Sequence, residues 1–150
     1  MKKHIGDVIT DIVLVGSVDT EIKPAEISIN HEYLYFQLND ENWVKLISID
    51  QMSVLKIVDS EGLDFLFEID EDDEYTSVSI RDSILIDTVS DVAIASVDEY
   101  SVDGKVKALE VTLKNDQSIF IDATYYTGIK LGENALKKAF IENHSGFVKG

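Results

Sequence analysis

Through most of the chain, apolar and polar residues alternate in short runs rich in β-branched and aromatic side chains, each bounded by Asp, Asn or Gly. Period-two alternation places successive side chains on opposite faces of a strand, so the pattern predicts a β-rich fold. Residues 27–30, 33–38 and 43–49 follow one another, separated by turn-forming sets around Asn30-His31-Glu32 and Asn39-Asp40-Glu41-Asn42. That succession predicts an antiparallel meander. Residues 54–58 and 63–69, joined by Ser60-Glu61-Gly62, read as a hairpin, and 75–80 as a further strand. Residues 106–114 and 118–122 flank Asn115-Asp116 as another hairpin, and Asp103-Gly104 is a strong turn signal.

One segment carries the helical period. Within 133–142, Ala135, Leu136, Ala139 and Phe140 fall along one side, Gly132 precedes the segment, and Gly146 follows as a stop signal. The expectation is an α+β, β-rich fold of antiparallel meanders and hairpins, with one C-terminal helix packed on a sheet. With 150 residues, a single domain spanning 1–150 is expected.

Two stretches of the chain echo each other. Residues 7–14 parallel 87–94, 26–29 parallel 110–113, and 44–46 parallel 129–131, in the same order and at an offset of 80 drifting to 85. The echo suggests two similar halves, 7–50 and 87–131, although alternating strands also resemble one another without common descent. Aromatic residues give a second open choice. Tyr33 and Tyr35 share one face of their predicted strand and Trp43 opens the next, forming either an exposed anchor set or a second packed layer.

Charge changes the picture most. The chain has 29 acids against 13 bases, a net charge of -16. Residues 59–103 hold fifteen acids and one base, Arg81, so nearly all of the excess lies in the middle third. Within 68–74 only Ile69 is not acidic. Such a field opposes autonomous binding to nucleic acid or to an anionic membrane surface and leaves two readings of 68–74 open, a solvated loop between strands or a docking face for a basic protein. A divalent-cation loop is a weaker reading, because the run lacks the spaced ligands and the turn glycine of an EF-hand.

Other chemistry is sparse. With no Cys, thiol catalysis, disulfides and thiolate metal sites are excluded, and a reducing cytosol fits best. The start, Met1-Lys2-Lys3-His4, runs into Asp7 and Asp11 where a signal peptide would be apolar, and no stretch approaches the length of a membrane helix. His4, His31 and His144 are scattered without metal-ligand spacing, and the His144-Ser145 neighbours lie where a triad is not expected. No phosphate loop or nucleophile elbow is present. Neither an enzyme nor a cofactor is expected.

An acidic, Cys-free, β-rich chain with the acid run Asp70-Glu71-Asp72-Asp73-Glu74 and no catalytic motif resembles in kind the immunity proteins of bacterial polymorphic-toxin and contact-dependent growth-inhibition systems. That resemblance implies a cytoplasmic, non-enzymatic protein that neutralises a basic toxin domain, often a nuclease, by covering its active site or an adjacent surface. Those proteins share no motif, so the candidate partner-binding residues come from the charge: Asp64, Glu68, Asp70, Glu71, Asp72, Asp73, Glu74, Asp98 and Glu99. Two alternatives stand beside it. One is a nucleic-acid mimic inhibiting a DNA-binding enzyme, which needs carboxylates spaced like phosphates. The other is a structural or small-ligand-binding β module, which needs an apolar pocket.

Overall fold

A computed structural model describes residues 1–49, 54–87 and 92–150. A 3-10 turn at Lys2–His4 precedes β1 (Val8–Asp19), β2 (Glu26–Ile29), β3 (Tyr33–Leu38), β4 (Asn42–Ile49), β5 (Val54–Ser60) and β6 (Glu74–Ser79). After the short helix α1 (Arg81–Ile84) come β7 (Val92–Val102), β8 (Lys105–Leu113), β9 (Ser118–Tyr125), β10 (Gly128–Gly132), helix α2 (Asn134–Asn143) and β11 (Val148–Lys149). The fold is β-rich and antiparallel, with its main helix near the C-terminus, as the alternation and the single helical period predict.

The strands form two consecutive meanders, β1-β3-β4-β5 and β7-β8-β9-β10. They are joined edge to edge where β1 meets β7, at Val8 opposite Ala93 and Ile9 opposite Val92. From this short seam the second meander folds back over the first, so that β5 packs on β8 and β9 while β10 packs on β3 and β4. The core lies between the layers. Ile12, Leu34, Phe36 and Leu46 from the first meander join Ile94, Leu109, Val111 and Ile121 from the second in one buried cluster. A backbone bond from Ile129 N to His31 O, 2.7 Å long, ties the layers at one end. Gly128 is required there, because a Cβ on it would meet the His31 carbonyl oxygen at 2.4 Å.

The meanders repeat each other in topology, but the segments paired by sequence occupy different places in them. Residues 26–29 form β2, a short strand beside β1, whereas 110–113 lie in the second strand of their meander. Residues 44–46 lie in a third strand and 129–131 in a fourth. Of the 87–94 echo, residues 88–91 lie outside the described residues, as does Asp50 at the end of the first half.

One expected strand is absent. Residues 63–69 do not pair with β5, whose only strand partner among the described residues is β4. Their alternation has another cause: Leu63, Phe65 and Phe67 point onto the outer face of the first meander, against Val13, Val15 and Tyr35. The carbonyls of Leu66 and Phe67 accept from the Tyr33 and Tyr75 hydroxyls, at 3.5 and 2.5 Å, instead of from a strand ladder. Phe67 also stacks on Tyr33 with ring centroids 5.4 Å apart. The Tyr33–Tyr35–Trp43 face is therefore a second packed layer, with Tyr35 completely buried.

On the second meander the same task falls to α2, whose Leu136 and Phe140 cover Tyr100, Ala108 and Phe120. Each cover is held by a carboxylate, a lysine and a tyrosine. Asp64 of the 63–69 segment accepts from the Tyr35 hydroxyl and the Lys45 ammonium. Glu110 of β8 accepts from Lys137 of α2 at 3.0 and 3.1 Å, Ser118 at 2.9 Å and Tyr100 at 3.2 Å. Burial raises the Asp64 and Glu110 pKa values, but the lysine and hydroxyl donors outweigh it and hold both carboxyls below their ordinary range.

The Lys45 side chain retains 7% of its surface and that of Asp64 28%, so removing the carboxylate strands an inward-facing ammonium. Asp64→Ala should cost about 2–3 kcal/mol, below the ~3–5 of a fully buried pair because Asp64 reaches solvent. Urea unfolding checks this, and combining Asp64→Ala with Lys45→Met should recover part of the loss. A cost of the double variant equal to the sum of the singles would mean that the pair does not hold the cover.

Candidate protein-docking face

The cover of the first meander ends in a tight turn. Asp73 N donates to Asp70 O at 3.0 Å, and β6 begins at Glu74. β6 then runs antiparallel to β1 with Glu74 opposite Val18 and Tyr75 opposite Ser17. The acid run is thereby held against the far end of β1, where Asp19 closes the strand and accepts from Glu21 N at 3.0 Å. Asp19 at the end of β1 and Glu21 just beyond it thus join a turn about fifty residues later.

The electrostatics record this convergence. Desolvation raises the Asp73 pKa, and the charges of Asp19, Asp70, Asp72 and Glu21 raise it further. Among the described residues, none of Asp19, Glu21, Glu68, Asp70, Glu71, Asp72, Asp73 and Glu74 forms an ion pair. A polar groove of about 490 Å³ opens beside the turn, lined in part by Ser28, His31, Glu32, Glu68, Asp70 and Asp73. Such a site can attract and orient ammonium or guanidinium groups.

The other candidates lie elsewhere. Asp64 is a neighbour of the run in sequence, but its carboxylate is engaged by Tyr35 and Lys45. Asp98 and Glu99 are on β7, which leaves the β1 seam in the opposite direction from the acid turn. Asp98 lies 3.8 Å from Lys149, and Glu99 exchanges backbone bonds with Gly150, each 2.8 Å long. The structure therefore gathers Glu68 and Asp70 to Glu74, adds Asp19 and Glu21, and separates Asp64, Asp98 and Glu99 from them. Asp19 and Glu21 are invisible as site residues in sequence because only the β1–β6 pairing brings them near.

The histidines have local roles. The His4 ring lies between Asp7 at 2.9 Å and Asp59 at 3.2 Å, and His144 stacks on Phe140 with ring centroids 4.3 Å apart. Among the described residues, no group of three His, Asp or Glu side chains is arranged to hold a metal ion, and no helix is long and apolar enough to cross a membrane. Comparison of the chain with family models, curated proteins and solved structures returns no match.

The carboxyl pKa shifts are opposed, Asp73 raised and Asp7, Asp59, Asp64 and Glu110 lowered. Asp73 has a raised pKa, so the folded state holds its proton more tightly and stability rises as pH falls from 7 through that pKa, above 3.8. Asp64 and Glu110 have lowered values, so their contribution is present above the unfolded carboxyl pKa and is lost as pH falls below about 4. Melting temperatures should therefore peak at mildly acidic pH, and Asp73→Asn should raise the neutral-pH value and reduce the gain on acidification. A monotonic fall from pH 7 downward would contradict this balance.

Proposed function

We propose that the protein is a non-enzymatic, cytoplasmic binder of a basic protein, acting as an immunity protein that neutralises a toxin domain, with the acid turn as its docking face. One observation carries the reading: among the described residues, the carboxylates of 68–74, on and beside the hydrogen-bonded Asp70–Asp73 turn, are without ion pairs and lie near Asp19 at the end of β1, and desolvation together with their mutual repulsion raises the Asp73 pKa. A solubilising surface has no need of such concentration, since dispersed charge repels neighbours less. A basic partner turns the repulsion into attraction, accelerates encounter and fixes orientation. The carboxylates gather at one end of β1, and Asp98 and Glu99 depart from the seam the other way, which favours a compact basic patch as partner over the long phosphate-like row of a nucleic-acid mimic.

The experiment is protection. Expressed with the toxin domain encoded beside its own gene, the chain should rescue bacterial growth and form a complex with that domain. Reversing Asp70, Asp72 and Asp73 to Lys should slow association by about tenfold or more at low salt, and added salt should slow the wild type similarly, because attraction is screened over ~8–10 Å. Circular dichroism of the triple variant should remain that of the wild type, since the turn lies outside the core. An association rate equal to wild type at low salt would remove the acid turn as the docking face.

A further inference from the structure

The ribbon that carries the acid turn has an apolar face left uncovered among the described residues. β1 pairs with β6 along Val13 to Val18 and with β2 along Gly16 to Asp19, so its outer half is the centre of a three-stranded ribbon, β2-β1-β6. Directly opposed residues point to the same face. One face bears Val13, Val15 and Tyr75 and lies beneath the 63–69 cover. The other bears Leu14, Val18, Ile27, Ile29 and Val78.

Leu14 still packs against the main core from that second face. Beyond it the second layer ends, and among the described residues neither β2 nor β6 packs substantially on the second meander. Ile27 is 56% exposed and Val78 36%. They flank β1 on either side, with Ile27 opposite Val18 and Val78 opposite Leu14; between these two rows the face bears Ile29, Gly16 and Thr76. Exposed apolar surface on a sheet, rimmed by charge, is the composition of a binding site.

The rim decides the occupant. Residues 14–29 and 68–79 hold nine acids against Lys23, a balance of -8 and half of the chain's total of -16. Glu74 sits on the apolar face itself, opposite Val18. A second copy of this chain would bring two such rims together, which like-charge repulsion opposes. We infer that the uncovered face of the β2-β1-β6 ribbon docks a basic protein segment whose apolar side chains lie on Val18, Ile27 and Val78 while flanking Lys or Arg residues meet the acid rim. The inference rests on the proposed acidic docking and deepens it, by giving that field an apolar centre from which water is excluded.

The probes are short capped peptides alternating lysine with valine, lysine with serine, and glutamate with valine. The lysine–valine peptide should bind the whole protein about tenfold more tightly than the lysine–serine peptide of equal charge, about 1.4 kcal/mol. NMR shift changes should fall on 14–29 and 74–79, and the advantage should vanish in Ile27→Ser/Val78→Ser, whose exposed sites leave the core intact. Equal affinities of the two lysine peptides, or an advantage undiminished in the serine variant, would overturn the inference. So would glutamate–valine binding as tight as lysine–valine, or a wild-type dimer in sedimentation that the serine variant disperses. Loss of lysine–serine binding on reversal of Asp70, Asp72 and Asp73, with no lysine–valine advantage, would overturn the apolar centre and leave the acidic docking standing. A lysine–valine advantage that survives the reversal while lysine–serine binding is unchanged would uphold the apolar face and count against the acid turn.

Discussion

Both layers of this sandwich are apolar on both faces, and the rest of the structure follows from that constraint. Two meanders folded over one seam bury their inner faces against each other, but Val15 and Tyr35 on one outer face, and Tyr100 and Phe120 on the other, would remain in water. Each fully buried aliphatic or aromatic side chain is worth about 1.5–3 kcal/mol, so leaving either set uncovered would remove a large part of a domain's margin. The chain answers twice, each time with the segment that follows the fourth strand of a meander: 63–69 after β5, and α2 after β10. The carboxylate–lysine–tyrosine contacts then fix each cover in place, with the carboxylate on the cover in one case and on the sheet in the other. A hydrophobic cover alone has no directional preference. The paired charges supply one.

That solution also positions the acid turn. Because the first cover lies across β3 and β1, its exit is delivered to the distal end of β1, where β6 completes the ribbon. The six acids of 68–74 are then neither a free tail nor a long loop. They occupy a bend between two anchored elements, with the Phe67 carbonyl held by Tyr75 on one side and the Asp70–Asp73 bond on the other. Fixing like charges costs stability but preserves their arrangement, and an orienting field requires a fixed arrangement.

The legibility of this fold in the sequence tracks the range of each determinant. The β3 strand, the helix near 134–143 and the Asp103-Gly104 turn depend on residues adjacent in sequence; the turn has φ of 53° and 77°, the left-handed pair that Asp-Gly accommodates. Residues 63–69 were legible only as alternation. Leu63, Phe65 and Phe67 facing inward give the period of a strand whether the backbone pairs with a neighbour or is held by tyrosine hydroxyls. The charge of 68–74 is equally plain in the sequence, but the separation of Asp64, Asp98 and Glu99 from it, and the arrival of Asp19 and Glu21, depend on which strand lies beside β1. Pairings over such separations leave no local mark.

The twelve residues of β1 connect these parts mechanically. Its first half lies in the main core through Ile9 and Ile12, with β3 and the β7 seam beside it; its second half leaves the core and carries β2 and β6 outward. A three-stranded ribbon with one covered face would be marginal alone. Here its central strand is continuous with the buried sheet, so the ribbon is anchored through β1 to the core. The covered face has Phe65 and Phe67 against Val13 and Val15, and the open face has no counterpart to them among the described residues. The exposed Ile27 and Val78 thus stand on strands hydrogen-bonded to β1, so the proposed partner would meet a surface already formed when the sandwich folded.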